Sequence, residues 1–344
     1  MSGVLKPLLP GLVDKRPLLA AEAAEAFEAI MDGREEAAAV AAFLVALRMR
    51  GETVEEITAA AQAMRARAIP VRAPIDAVDM CGTGGDARGT FNISTCASFV
   101  VAALGVAVAK HGNRAVTSRS GAADVLAALG VRLDLGPEAL ARCLDEVGIA
   151  FLFAPNHHPA MRHVAPIRAA LGIRTIFNVL GPLTSPAGVR HQLLGVYGHD
   201  RVVPLAQVLK ALGCDRALVV HGADGLDEIT TTGVTHAALL NRGDIKSLEI
   251  SVEELGLTRA HPSDLVGGSA DENAQTLRAI LNGQPGPLRD IVCANAAGAL
   301  FASGRTASLA QGVALAQTAI DDGRAIGKLD ALIALSQSLA PGRP

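Results

Sequence analysis

The hydrophobic pattern of this 344-residue chain changes period once, near residue 75, and that change limits the fold more than any other feature. Before it, apolar residues recur at helical spacing: Val40, Phe43, Leu44 and Leu47, then Ile57, Ala60, Ala61 and Met64. Thr53 stands three residues before Glu56, the spacing of a capping box at a helix start. Upstream, PLLAAEAAEAFEAIMDG closes on a glycine, as helices do. Residues 1–70 therefore read as helices only, joined by short links. The segment 65–74, with two prolines and three arginines, reads as the way out of them.

After the change, short apolar runs alternate with helical stretches. VDMC (78–81) ends in the glycine turn GTGGD and leads into the helical NISTCASFVVAALG. A strand at 106–110, helices at 120–130 and over PEALARCLDEVG, and the strand IAFLF (149–153) follow. HQLLGVYG, a helix over 201–212 and RALVVHG continue the alternation. It predicts an α/β domain with a mostly parallel sheet flanked by helices. Residues 229–252 read as antiparallel β segments and 271–340 as alanine-rich helices. The expected organisation is a small helical domain over 1–72 and a larger α/β domain over 73–344.

Composition removes several function classes. Lys+Arg is 31 against 34 Asp+Glu, a net charge of −3, which argues against electrostatic binding to nucleic acid or a membrane surface. Eight Phe, one Tyr and no Trp leave little for base stacking. The five cysteines are widely spaced with no C-x-x-C pair, which argues against a zinc site or disulfide framework and points to a reducing cytoplasm. Lys6, Asp14, Lys15 and Arg16 make the N-terminus a poor signal peptide. Residues 89–109 carry no charge, but only FVVAALGVAVA is apolar, which suits a buried helix and strand rather than a membrane span.

Three segments carry the candidate chemistry. Gly82-Thr83-Gly84-Gly85-Asp86 lies between a strand and a helix, so its backbone can approach a ligand closely while the helix N-terminus, near Asn92–Ser94, faces the same space. Ser94 and Thr95 add hydroxyls. The spacing fits neither a Walker A loop nor a dinucleotide fingerprint, and a plain tight turn is the competing reading. Lys110-His111-Gly112-Asn113-Arg114 follows a predicted strand end, where α/β sheets bind ligands; a solvated loop is its alternative. No acid lies between Asp86 and Asp124, or between Glu146 and Asp200. The cations there, among them Arg88, Lys110, Arg114, Arg119, Arg162, Arg168, Arg174 and Arg190, either create a local field for an anionic small molecule or form helix ion pairs. Finally, HGADGLDE (221–228) holds three carboxylates in five residues, and Asp227 and Glu228 are candidate Mg²⁺ ligands opposite a phosphate cradle.

GTGGD, NIST, KHGNRAVTSRSGAADVLAALG, FAPNHHPAMRHVAPIRAALGIRTIFNVLGPLTSPA and HGADGLDEIT stand in the order seen in the anthranilate phosphoribosyltransferases, and the chain resembles that family over about residues 10–335. The resemblance implies transfer of phosphoribose from phosphoribosyl pyrophosphate (PRPP) to the amine of anthranilate, releasing pyrophosphate, the second step of tryptophan biosynthesis. It implies a fold similar to the pyrimidine nucleoside phosphorylases, with a helical segment near 158–172 joining the helical domain, a cytoplasmic homodimer formed through that domain, and Mg²⁺ as cofactor. By the same resemblance, PRPP would be held by Gly82, Gly85, Asp86, Thr90, Asn92, Ser94, Thr95, Lys110, Asn113, Ser118 and the position of Ala122. Anthranilate would meet Arg168 through its carboxylate, with Gly82, His111, Asn113, His158 and Gly181 along its path. Ser94, Asp227 and Glu228 would face the metal. No covalent nucleophile is implied.

The chain departs from the family pattern at Ala122, where a serine is usual, at Ala127, usually Glu, and at Ser185, usually Asn. A pyrimidine nucleoside phosphorylase-like enzyme is one alternative, against which the HPAMRHVAPIRAALGIRTIFN run speaks. A non-enzymatic nucleic-acid-binding relative is another, against which the net charge and the intact KHGNR speak.

Overall fold

Four helices precede the first strand: α1 (Leu5–Val13), α2 (Ala20–Met31), α3 (Ala37–Arg50) and α4 (Val54–Arg65). The structure is a computed structural model and describes residues 3–85, 88–115 and 119–340. The capping box is formed at α4. Thr53 Oγ1 accepts the Glu56 N–H at 3.3 Å, and the Glu56 carboxylate accepts the Thr53 N–H at 2.9 Å. Glu56 is fully buried, pairs with Arg50 and also accepts the Leu18 N–H at 2.9 Å. One carboxylate thus ties together the α1–α2 turn, the end of α3 and the start of α4.

The remainder alternates in the order its pattern predicts, with three short helices between β3 and β4 that the periodicity leaves unassigned: β1 (Val78–Gly82), α5 (Ile93–Ala103), β2 (Val108–Gly112), α6 (Ala122–Ala128), α7 (Pro137–Glu146), β3 (Ile149–Phe153), α8 (Ala154–His157), α9 (Ala165–Leu171), α10 (Phe177–Leu183), β4 (His191–Gly195), α11 (Val202–Ala211) and β5 (Arg216–Gly222). The antiparallel pair β6 (Thr235–Asn241) and β7 (Asp244–Ile250) follows, then α12 (Ala270–Leu281), α13 (Pro287–Ala302), α14 (Leu309–Asp321) and α15 (Arg324–Ser338). No helix among the described residues is long and apolar enough to cross a membrane.

One seven-stranded sheet runs β3-β2-β1-β4-β5-β6-β7, parallel from β3 to β5 and antiparallel beyond. β1 is flanked by β2, which follows it in sequence, and by β4, which arrives much later. The chain therefore reverses direction across the sheet at β1, and it is at the carboxyl end of such a reversal point that α/β sheets bind ligands. Side chains alternate between two cores: Leu193, Leu218 and Val220 face α5 and the C-terminal helices, while Leu194, Ala217 and Val219 face α11 and the N-terminal helices. Arg65 closes the second core by donating to Leu183 O at 2.7 Å and Leu212 O at 3.2 Å.

One boundary differs from expectation in a way that matters. The strand expected at 106–110 runs over 108–112, because Gly105 at φ +81° turns the chain out of α5 before pairing with β3 begins at Val108. Lys110 and His111 are therefore buried strand residues, and only Asn113 and Arg114 belong to the loop.

Candidate functional site

The glycine loop leaves β1 at the reversal point. Thr83 N–H donates to Gly195 O at 2.9 Å, and Thr83 Oγ1 accepts the Tyr197 N–H at 3.1 Å. Gly84 and Gly85 follow at φ +66° and +75°, two consecutive left-handed residues that side chains would strain. Gly84 N–H donates to Asp227 Oδ2 at 2.7 Å, and a Cβ on Gly82 would stand 2.3 Å from that oxygen. Arg174 donates to Gly85 O, with its guanidinium 4.5 Å from the Tyr197 ring centre. Asp86 and Ser118 lie outside the described residues.

The start of α5 closes the second side. Ser94 N–H donates to Glu228 Oε1 at 3.2 Å. Lys110 Nζ reaches up from β2 and donates to Ser94 Oγ at 3.2 Å and Met80 O at 2.5 Å. Thr95 is buried one residue further along. Asn92 is engaged laterally: Asn273 Nδ2 donates to Asn92 Oδ1 at 2.9 Å and to Ser120 Oγ at 2.8 Å. Thr90 forms an isolated bridge with Val266. Asn113 O accepts the Ala123 N–H at 3.2 Å, which brings the loop after β2 onto the first turn of α6, where Ala122 stands.

The acidic loop after β5 divides its three carboxylates. Asp224 accepts the hydroxyls of Thr230 at 2.6 Å and Thr232 at 2.5 Å, and so shapes the loop. Asp227 and Glu228 reach the glycine loop and α5. Burial, and then the neighbouring Asp227 charge, pushes the Glu228 carboxyl up to about 8. No group of three or more His, Cys, Asp or Glu side chains stands together at metal-binding distance among the described residues. Two adjacent carboxylates are a donor set suited to Mg²⁺, which keeps waters and takes phosphate oxygens from its substrate.

The acid-free stretches of sequence are not acid-free in space. Arg114 pairs with Asp124 at 2.7 Å and Arg190 with Asp215 at 2.6 Å, so these two serve the ion-pair reading. Arg119 approaches Glu272 at 4.0 Å, and His199 stacks on His236 in a separate groove. Lys110 and Arg174 reach the site directly. Arg168, half-buried on α9, lies with its guanidinium carbon 5.7 Å from the Phe177 ring centre.

Beside this segment two histidines meet. His111 Nδ1 lies 3.0 Å from Gly181 O, and His111 Nε2 lies 3.3 Å from His158 Nε2. Burial holds both rings neutral, His111 down at about 3 and His158 at about 4. A neutral His111 donating to the Gly181 carbonyl has a bare Nε2, so His158 Nε2 carries the proton between them. The His111 backbone is fixed from the other side, its N–H donating to Asp79 Oδ1 at 3.0 Å.

Residues 75–326 match the glycosyl transferase family, a/b domain, and residues 6–68 the glycosyl transferase family, helical bundle domain. The anthranilate phosphoribosyltransferase of Azorhizobium caulinodans is 56% identical over 336 residues, 98% of this chain and 98% of its own length. The chain belongs to the anthranilate phosphoribosyltransferases. The solved structure of the Thermus thermophilus enzyme of that name superposes with a TM-score of 0.91 at 45% identity, covering 96% of this chain and 99% of that one. The Saccharomyces cerevisiae enzyme, solved in complex with PRPP and Mg, superposes at 0.88 with 28% identity, covering 97% and 99%. These matches favour the transferase over the phosphorylase-like and nucleic-acid-binding alternatives.

Several side chains at this site escaped the sequence reading. Asp79 had a usable signal, a lone acid inside a strand covered on both faces. Arg174 was one cation among many, and Tyr197 and Asn273 had no local signal, because their partners are distant in sequence.

Proposed function

We propose that this protein transfers the phosphoribosyl group of PRPP to the amine of anthranilate, giving N-(5-phosphoribosyl)anthranilate and pyrophosphate in tryptophan biosynthesis. The observation that carries this reading is the convergence of the glycine loop, Lys110 and the Asp227–Glu228 pair at the carboxyl end of β1, in a chain 56% identical to a relative of that name.

In this reading the diphosphate lies against the backbone of Gly82 and Gly85 and the start of α5, near Thr90, Asn92, Ser94, Thr95, Asn113 and Ala122; Asp86 and Ser118 are assigned to the same ligand by the family resemblance alone. Lys110 supplies a fixed positive charge where negative charge grows on the leaving group. Asp227 and Glu228, with Ser94, would hold Mg²⁺, which when bound neutralises diphosphate charge. As the bond from the ribose C1 to the diphosphate oxygen breaks, the anthranilate nitrogen bonds to C1 and then loses one proton. An aromatic amine is uncharged near neutral pH, so positioning and electrostatics supply most of the catalysis, without a covalent nucleophile.

Arg168 would clamp the anthranilate carboxylate through its guanidinium fork. His111 and His158, both neutral, would line the path with Gly181 and admit an aromatic ring without desolvating a cation. A cytoplasmic homodimer is part of the same reading.

Loss of anthranilate fluorescence in the presence of the purified protein tests it. The expected loss requires both PRPP and Mg²⁺ and stops with EDTA. A folded protein that leaves the fluorescence unchanged overturns the reading.

A further inference from the structure

Arg174 stands in the link between α9 and α10 and belongs to none of the groups assigned above. Its neighbours are specific. It donates to the carbonyl of Gly85, the second left-handed glycine of the loop. Its guanidinium lies 4.5 Å from the Tyr197 ring centre, within cation–π range. The Tyr197 backbone N–H in turn donates to Thr83 Oγ1 at 3.1 Å, at the start of the same loop. The loop is therefore gripped at both ends by one stacked pair: Tyr197 at Thr83 and Arg174 at Gly85. Both side chains are half-buried, so the stack is partly shielded from water. The link that carries Arg174 continues from α9, the helix of Arg168.

We propose that Arg174 is a positioning residue that, stacked on Tyr197, holds the glycine loop in its twice left-handed shape and ties it to the helix bearing Arg168. The inference rests on the transferase reading for the identity of the two ligands. Two consecutive left-handed glycines have many alternative conformations, and a donor fixed on the Gly85 carbonyl removes most of them before the diphosphate arrives. Because the same residue is anchored to the α9–α10 segment, ordering the loop also orders the acceptor side. Binding of one substrate then favours binding of the other.

The chain contains one tyrosine and no tryptophan, so tyrosine emission reports on Tyr197 alone. In the unsubstituted protein, Mg²⁺ with inorganic pyrophosphate should change that emission. Arg174→Ala should abolish the change and raise the PRPP KM about tenfold, the loss expected for one charge-assisted hydrogen bond, with the anthranilate KM rising and kcat little altered. Arg174→Lys keeps a cationic donor but not the planar stack, so it should fold as the parent does and recover part of the PRPP KM. Both variants retaining the parental emission response, with PRPP KM within about twofold of the parent's, would overturn the proposal. An unsubstituted protein that responds to Mg²⁺ and pyrophosphate but transfers nothing to anthranilate overturns the transferase reading instead.

Discussion

Asp79 carries a carboxyl group fully buried within the sheet. One oxygen accepts the His111 N–H, and burial pushes the group up to about 7 despite the nearby Lys110 charge. In the unfolded chain the same group titrates near ~4. Between those values the folded protein holds a proton that the unfolded chain has lost. This contribution to stability is complete below pH ~4 and disappears as the pH rises through about 7. His111 and His158 act in the opposite sense, because below pH ~6.5 the unfolded chain takes up protons that these buried rings refuse. Asp79→Asn removes the first effect and leaves the second. Its melting temperature, relative to the parent's, should climb between pH ~4 and ~7; an offset that stays constant over that range would refute the assignment. At Arg168 the expected effect is kinetic. Arg168→Ala should raise the anthranilate KM by about tenfold or more while the PRPP KM moves far less, because a bidentate carboxylate contact is lost on one substrate only. Equal changes in both would remove its assigned role. Arg168 was legible in the sequence as a cation in a recognisable run. Asp79 was legible only as a lone acid in an apolar strand, and its partner was not, because the His111 N–H that it accepts lies more than thirty residues away.

Elements were easiest to read where the cause is local. The capping box at α4 is written in four consecutive residues, and the structure forms it. Yet most of what Glu56 does is not local, since it also receives the Leu18 N–H and faces Arg50 in a buried pair. The two residues should therefore separate in a denaturation experiment. Thr53→Ala removes one cap and should cost about 1 kcal/mol. Glu56→Ala removes the cap, the bond to Leu18 and the partner of a buried guanidinium, and should cost roughly 3–5 kcal/mol. Urea unfolding curves of the two variants decide it, and similar losses would mean that Glu56 serves only as the cap. The β2 boundary was misread for the converse reason. An apolar run sets where a strand can lie, but pairing with β3 sets where it does lie, and that register carried His111 into the sheet rather than beyond it. The glycine loop is an intermediate case: its conformational freedom is visible in GTGG, whereas the Arg174, Gly195 and Asp227 contacts that use it are not.

At the scale of the molecule, the change of period near residue 75 was enough to separate helices from an α/β region, and the strand order around β1 explains why the site lies where it does. Whether and where two copies of the chain meet is a different kind of question, and the helical region supplies a prediction that can be tested. Val13, Leu19 and Met49 are 72%, 66% and 83% exposed, at the end of α1, the start of α2 and near the end of α3. Arg50 donates to Arg16 O at 2.8 Å, which draws the end of α3 against the α1–α2 turn and brings these apolar residues to the same end of the bundle. Large apolar side chains clustered on a surface mark an association face. The prediction is a dimer of the 35.2 kDa chain through this end, isologous because the same patch serves both copies. Met49→Glu places a charge at the most exposed of these three residues and should convert the sedimenting species to the monomer. None of the residues assigned to PRPP, anthranilate or Mg²⁺ lies within α1–α3, so the monomeric variant should retain the transferase activity. A variant that still sediments as a dimer would place the association face elsewhere on the molecule. A monomer without activity would show that the subunits support each other's active sites through the helical region.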